Sequence, residues 1–415
     1  MKQTRPEKGD IFTKVHSGRA AERLGILKSC GYNPFFHTFR IDPELGSSQI
    51  RIDGKAVLNF GSNDYLGLTL EVKQAAQDAI EKFGTGCSGS RLLNGSIDLH
   101  LELESALANF LGKDSAAIFG TGFQTNLAAL SSLGGIRDVI ITDESCHASI
   151  TDGVRLSYAR RLRFKHNDPH SLNEALTNCD QSAGKLVALD GVYSCAGDLA
   201  DLGGLLPVCK QHAARVYLDD AHGLGILGEK GRGTAEQLGV EDEIDIIAGT
   251  FSKSLASSGG FIAGDTELID YVKHYASPFV FSAALPPAAT AAALAALRII
   301  EEDFERRRNL IELSQYARQA FNSCGFAVNS HLTPIIMLDI GAKSHGVDDS
   351  IDLLSFCCAL LEKGFYVNPM IGSAAELPVI RVNITTKHTR NEIDALADAI
   401  SDLTKRESYE EIANE

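Results

Sequence analysis

No Cys-x-x-Cys pair and no metal-finger spacing occurs among the nine cysteines of this 415-residue chain. An odd count without paired spacing argues against a disulfide framework, and reduced thiols in a cytosolic enzyme are the natural reading. Positive charge is also scarce. Lys and Arg number 39 against 54 Asp and Glu, a formal charge of −15, so the basic surface that nucleic acid needs is missing and no nucleic-acid partner is expected. A few local cations would still suffice for an anionic substrate. Long hydrophobic runs are lacking too. Leu285 to Leu297 is Ala-rich and closed by Arg298; it falls short of the ~20 residues a bilayer span requires and reads as a buried or interface helix. Met1 to Asp10 is polar and mixed in charge, so no secretory signal is expected and the cytoplasm is the expected location.

What is present is an ordinary globular composition, 44% apolar and 22% charged, in a length that suggests two or three domains. Residues 1–60 read as a polar helical arm, a turn at Gly31-Tyr-Asn-Pro34, and a hairpin of Gln49–Asp53 and Ala56–Phe60 around Asp53-Gly54. Residues 61–285 begin with a helix that puts Val72, Ala76, Ile80 and Phe83 on one face, then a Gly- and Ser-rich loop, Gly84 to Gly95, and a helix from Leu99 to Leu111. Strands at Ala116–Phe119, Val139–Thr142, Arg163–Lys165, Leu186–Leu189, Val216–Leu218, Ile246–Ala248 and Phe261–Ala263 then alternate with helices near 123–133, 147–158, 171–178, 201–213 and 266–275. Such alternation implies a large α/β domain whose seven-stranded, mostly parallel sheet is covered on both faces. Residues 286–415 shift to two successive helices, strands Ile335–Ile340, Phe365–Asn368 and Val379–Thr385, and a last helix opened by a Thr389-x-x-Glu392 capping box. This predicts a smaller C-terminal α+β domain with a frayed tail after Lys405.

Chemistry concentrates at strand ends. Arg215-Val-Tyr-Leu-Asp-Asp-Ala-His-Gly223 is an apolar strand that stops in charge, and Ile246-Ile-Ala-Gly-Thr-Phe-Ser-Lys-Ser254 repeats the design. Open α/β sheets bind ligands beyond the carboxyl ends of their strands. An acid at Asp219 and an amine at Lys253 suit pyridoxal 5′-phosphate (PLP), which needs a Schiff-base Lys and an acid facing its pyridinium nitrogen. Lys253 could instead be a solvated surface Lys, but the small residues from Thr250 to Gly260 leave room for a planar group. Asp219 could merely cap a turn; Asp220 suits that role better, because adjacent residues point opposite ways. Asp219 and His222 could suggest a metal pair, yet no third ligand lies at metal spacing, so no metal is expected. Gly120-Thr-Gly-Phe-Gln-Thr-Asn126 links a strand to a helix, which makes either an anion site or an ordinary Gly turn. His147 opens another helix, where its ring could stack on a flat cofactor or serve a capping role. Gly223-Leu-Gly-Ile-Leu-Gly228 matches a dinucleotide fingerprint after a strand, but loop residues follow it where a helix should. That leaves a dinucleotide-dependent oxidoreductase as the distant alternative.

Asp219 to Gly225, Gly249 to Ser254, Gly122 to Asn126, His147 to Gly153 and Gly191-Val-Tyr-Ser-Cys-Ala-Gly-Asp198 occur in the order seen in the α-oxoamine synthases, and the chain resembles that family from about Gly31 to Ile400. The resemblance implies a fold-type I PLP transferase that condenses an amino acid with an acyl-CoA and releases CO₂. Phe60 to Thr69, Gly84 to Gly95 and Gly249 to Gly260 resemble most the branch that joins serine to a long-chain acyl-CoA such as palmitoyl-CoA, making 3-ketodihydrosphingosine in the first step of sphingolipid synthesis. Branches using alanine or glycine, such as the 8-amino-7-oxononanoate synthases, are the nearer alternative. A silent partner subunit of a heteromeric synthase is disfavoured by the presence of Lys253.

Carried over by position, Lys253 resembles the Schiff-base Lys and Cα-proton base, and Asp219 the acid at the pyridine nitrogen. His147 resembles the stacking His, His222 the residue near the ring hydroxyl, and Ser194 a hydroxyl beside the cofactor. Thr250 with the backbone of Gly122 and Phe123 resembles the phosphate cup, and Ser282 a hydroxyl given to a neighbouring subunit's phosphate. Arg381 with Asn63 resembles the carboxylate grip. The family further implies a homodimer with shared sites and, for a lipid-forming enzyme, a peripheral contact with the inner membrane. Two stretches depart from the family: Ala283 follows Ser282 where Thr is usual, and Met370 to Pro378 replaces a Pro-rich loop near substrate.

Overall fold

The computed structural model describes residues 25, 35–42, 44–339, 349–370 and 379–405. The expected N-terminal arm, the Gly31–Pro34 turn, nearly all of the Met370–Pro378 loop and the tail after Lys405 lie outside the described residues. Strand β1 (Phe39–Arg40) pairs with β2 (Gln49–Ile52), which forms the expected antiparallel hairpin with β3 (Lys55–Asn59). Asp53 and Gly54 between them have φ of 50° and 84°, the left-handed pair whose twist matches that of the flanking strands. Helices α1 (Lys73–Phe83) and α2 (Asp98–Leu111) follow.

The seven strands expected next are present. They are β4 (Ser115–Phe119), β5 (Val139–Asp143), β6 (Arg160–Phe164), β7 (Lys185–Asp190), β8 (Arg215–Asp219), β9 (Ile246–Thr250) and β10 (Gly260–Gly264), in the order β4-β10-β9-β8-β7-β5-β6. β10 runs antiparallel to both neighbours and every other pairing is parallel. Helices α3 (Gly122–Leu133), α4 (Ala148–Leu156), α5 (Pro169–Thr177), α6 (Leu202–Gln211), α7 (Thr234–Leu238), α8 (Thr266–Tyr275) and α9 (Ser277–Val280) connect or follow them. The strands read as continuous apolar runs because both faces are covered. Ile140, Tyr217 and Ile246 pack with Leu130 of α3 and Ile150 of α4, while Ile141, Leu218 and Ile247 pack with Leu107 of α2 and Leu205 of α6. Burying each such side chain contributes about 1.5–3 kcal/mol relative to exposure.

Six of these strands run a residue or two beyond their expected bounds, and one is displaced. β6 is Arg160–Phe164, not Arg163–Lys165. As the edge strand it is exposed along most of its length, so it carries arginines and lacks the apolar run that marks the central strands.

Beyond β10 and its two helices come α10 (Pro287–Glu302), α11 (Phe304–Ser323), β11 (Ala327–Val328), β12 (Ile335–Asp339), α12 (Asp349–Glu362), β13 (Phe365–Tyr366), β14 (Asn368–Met370), β15 (Val379–Asn383) and α13 (Arg390–Thr404). The capping box is formed: Thr389 Oγ1 accepts from the Glu392 N–H, and Glu392 Oε2 accepts from the Thr389 N–H at 2.7 Å. The single strand expected at Phe365–Asn368 is two. β13 pairs in parallel with β3, whereas β14 joins the antiparallel sheet β11-β12-β15-β14. The chain changes sheets at Val367, a step that an unbroken apolar run conceals.

Candidate active site

Parallel pairing brings the ends of β7, β8 and β9 level, so Asp190 lies opposite Asp219 and Asp219 opposite Ala248. Beyond them opens a cavity of about 340 Å³, within the size range of small-molecule sites. Gly122, Phe123, His147, Ser194, Asp219, His222, Thr250 and Lys253 all line it. Eight of the residues singled out in the sequence, scattered over 132 positions, therefore meet in one place.

Asp219 is buried and held from two sides. Its Oδ2 accepts from Asn126 Nδ2 at 2.6 Å and its Oδ1 from the Ala221 N–H at 3.1 Å. Tyr217 donates to Asn126 Oδ1 at 2.6 Å, which turns the amide nitrogen toward Asp219. His147 caps α4, with its Nδ1 2.6 Å from Ser149 Oγ and its backbone N–H donating to Asp190 Oδ2 at 2.7 Å. Phe123 stands edge-on to the His147 ring at 6.3 Å. Burial weakens both imidazoles as bases; for His222, whose Nδ1 lies 2.8 Å from the Tyr65 hydroxyl, the positive charge of Lys253 adds to that effect.

Lys253 follows β9 in a tight loop of small residues. Burial lowers its pKa from the ordinary 10.5 to about 8, with the Asp219 charge acting in the opposite direction. An amine in that range is available as a nucleophile near neutral pH. Burial, then the neighbouring Asp219 charge, pushes the Asp190 carboxyl well above its usual range.

The cavity is also lined by the start of α3. Thr121 caps it by accepting from the Gln124 N–H, and the N–H groups of Gly122 and Phe123 belong to the first turn, where a helix has no internal acceptors. Thr250 Oγ1 lies 2.9 Å from Ser252 Oγ. A Cβ built on Gly122 would sit 2.7 Å from Thr250 Oγ1, so a side chain there would fill the cradle. The amine, the carboxylate, the imidazole and the hydroxyl-lined helix N-terminus together match the chemical faces of PLP, and these residues fit that group.

Arg381 and Asn63 do not line the cavity but stand behind it. Arg381 Nη2 donates to Asn63 Oδ1 at 3.1 Å and to the Tyr65 hydroxyl at 3.2 Å, and Tyr65 in turn reaches His222. Arg381 Nε is buried without a hydrogen-bond partner, an unmet donor of the kind a carboxylate would satisfy. Ser282, just after α9, is not among the lining residues.

Asp220 turns the other way, as expected, accepting from the Thr234 N–H and hydroxyl at 2.5 and 2.7 Å. Gly223 to Gly228 opens no helix; it is a turn whose Leu224, Ile226 and Leu227 are buried in the core, and the next helix starts at Thr234. That removes the dinucleotide reading. Asn126, Tyr65 and Asp190 each hydrogen-bond to a residue of the cavity, and no local motif marks the first two. Asp190 carried a usable signal, since it ends an apolar strand just as Asp219 does.

A family model described as aminotransferase class I and II matches residues 55–400. The serine palmitoyltransferase of Sphingobacterium spiritivorum is 40% identical over 96% of this chain and 100% of its own length. That of Bacteroides thetaiotaomicron is 41% identical over 89% and 92%. Among solved structures, the serine palmitoyltransferase of S. paucimobilis with PLP–myriocin bound is similar with a TM-score of 0.88 at 32% identity, covering 95% of this chain and 98% of that one.

Proposed function

The chain belongs to the aminotransferase class I and II family, with the fold-type I PLP-transferase fold and PLP as its cofactor, and on that premise we propose that it condenses L-serine with a long-chain acyl-CoA, palmitoyl-CoA in the first instance. The products are 3-ketodihydrosphingosine, CoA and CO₂. One observation carries the reading: Lys253, Asp219 and His147 line a single cavity together with the start of α3. Support for serine and for a long acyl chain comes from the similarity to serine palmitoyltransferases over nearly the whole chain.

Bound PLP supplies an electron sink for the pair left when a bond to the amino acid Cα breaks. The chain's residues do the rest. Lys253, held near pKa 8, offers an unprotonated amine that would hold the cofactor covalently and, once displaced by the substrate amine, would take the Cα proton. Asp219, fixed by Asn126 and Ala221, holds a proton at the pyridine nitrogen. His147 would support the ring with its imidazole, and His222 and Ser194 would lie beside it. Thr250 and the N–H groups of Gly122 and Phe123 would hold the phosphate. Arg381 with Asn63 grips the serine carboxylate through deprotonation and until it leaves as CO₂.

We further read the protein as a homodimer in which Ser282 serves the neighbouring site, with a large cofactor domain at 61–285, a smaller domain at 286–415 and an arm at 1–60. It is read as cytoplasmic with a peripheral contact at the inner membrane; no described helix is long and apolar enough to cross one. A spectral titration of the PLP-loaded protein with serine, alanine and glycine tests the substrate. Serine should perturb the cofactor band at the lowest concentration, and a response to alanine or glycine alone would move the chain to another branch.

A further inference from the structure

β6 closes the main sheet at the edge opposite β4. The side chains of its Arg160, Arg161 and Arg163 are exposed and have no hydrogen-bond or carboxylate partner among the described residues. Strand alternation puts Arg161 and Arg163 on one face, beside α4. With Arg155 and Thr151 of that helix they line a cleft of about 450 Å³. Arg155 alone has an acid at hand, Asp152 at 3.2 Å. In a chain of net charge −15 this is a local inversion of sign.

The adjoining loops add the other half of the pattern. Ile136, Leu156 and Tyr158 are 84%, 62% and 83% exposed, and exposed Arg137 follows Ile136. The loops touch: the Tyr158 N–H donates to Gly134 O at 3.2 Å and the Arg160 N–H to Asp138 O at 2.9 Å. Charge on an edge strand is a common guard against edge pairing, and that accounts for β6 by itself. It does not account for three large apolar side chains beside it, nor for Arg137 and Arg155, which lie off the strand.

We propose that this corner, formed by the 134–138 and 156–159 loops with α4 and β6, docks the protein on an anionic phospholipid bilayer. The arginines meet lipid phosphates, the cleft between α4 and β6 takes a headgroup, and Ile136, Leu156 and Tyr158 enter the interface, where an aromatic hydroxyl is well suited. Ser282, which the dimer proposed above places at the neighbouring subunit, follows α8 and α9 near β4, at the edge of the sheet opposite this corner. The docking surface extends the proposed membrane contact and does not depend on the reaction assigned to the cavity.

Co-sedimentation of PLP-loaded protein with phosphatidylcholine vesicles, with and without phosphatidylglycerol, tests it without any activity measurement. Binding should need the anionic lipid and weaken as salt rises. Arg161→Glu with Arg163→Glu should weaken it about tenfold or more, while Lys230→Glu with Lys363→Glu, of equal charge change on other surfaces, should alter it far less. Leu156→Ser with Tyr158→Ser should lower binding and leave the salt dependence in place. Circular dichroism and cofactor retention check folding, and Arg161→Gln with Arg163→Gln, expected to be intermediate, replaces the Glu pair if that fails to fold. Equal binding to neutral vesicles, an equal loss in the Lys control, or a change in oligomeric mass in place of vesicle binding overturns the proposal.

Discussion

Asp219 and Asp220 are neighbours at the end of one strand, yet the regions they serve are built on opposite terms. Asp219 opens on the cavity, where the Lys253 side-chain amine makes no hydrogen bond or ion pair among the described residues, and Arg381 Nε, behind it, is unmet. Asp220 closes a turn in which its carboxylate takes the Thr234 N–H and hydroxyl, and side chains at Gly191, Gly223 or Gly233 would collide with it. Burial lifts its carboxyl to about 6 against the pull of those hydrogen bonds. One side stores unsatisfied polarity for a ligand; the other spends its polarity on holding the backbone that presents the first.

The comparison predicts that substitutions separate cleanly by side. Lys253→Ala should show the largest effect, a fall in turnover of ~10³-fold or more with loss of covalently held PLP and an unchanged melting temperature. Asp219→Asn keeps the shape but removes the charge, and should cost ~10²-fold in turnover while stability holds. Steady-state kinetics and thermal melts of the same preparations check both. Asp220→Ala should do the reverse. Leaving two buried donors unpaired costs about 2 kcal/mol of stability, visible in denaturant melts, with a smaller loss of turnover at a temperature where the protein stays folded. If Asp220→Ala matched Asp219→Asn in turnover with unaltered stability, the division between the two sides would be gone.

A pH experiment sharpens the cavity side. Because the Lys253 amine is protonated below a pKa of about 8, capture of PLP by the cofactor-free protein should quicken as pH rises toward 8 and level off above it. Stopped-flow mixing reads this directly. A rate that keeps climbing to pH 10 would mean that burial does not depress the amine.

Much of this was legible in the sequence because a covered parallel strand must be apolar and must end where ligands bind, so Asp219, Lys253 and their strands announced themselves together. The same logic applied to Leu186–Asp190 and would have found Asp190. The extent of Arg160–Phe164 is not legible because an edge strand has no apolar signature. Asn126 and Tyr65 were hidden for another reason. Their roles arise from hydrogen bonds across 93 and 157 positions, Asn126 to Asp219 and Tyr65 to His222, which no local pattern encodes.

The smallest effect tests what holds the cavity wall in place. His166 bridges two carboxylates, with Nδ1 3.0 Å from Asp143 and Nε2 2.8 Å from Asp198. Asp143 begins the turn that ends at His147, and Asp198 ends the loop that carries Ser194. The hydrogen bonds to Asp143, then Asp198, raise the imidazole pKa from 6.5 to about 10, so the folded protein keeps a charge that the unfolded chain loses at neutral pH. The stabilisation is complete below pH 6.5, declines as pH rises above that value, and is gone once pH passes 10. Partial exposure of the ring screens the pairs, which leaves a contribution on the order of 1 kcal/mol. Denaturant melts from pH 6 to 10 should therefore show a downward slope that His166→Gln removes. An equal slope in both proteins would mean that the two loops flanking the cavity are tied by packing and not by this charge.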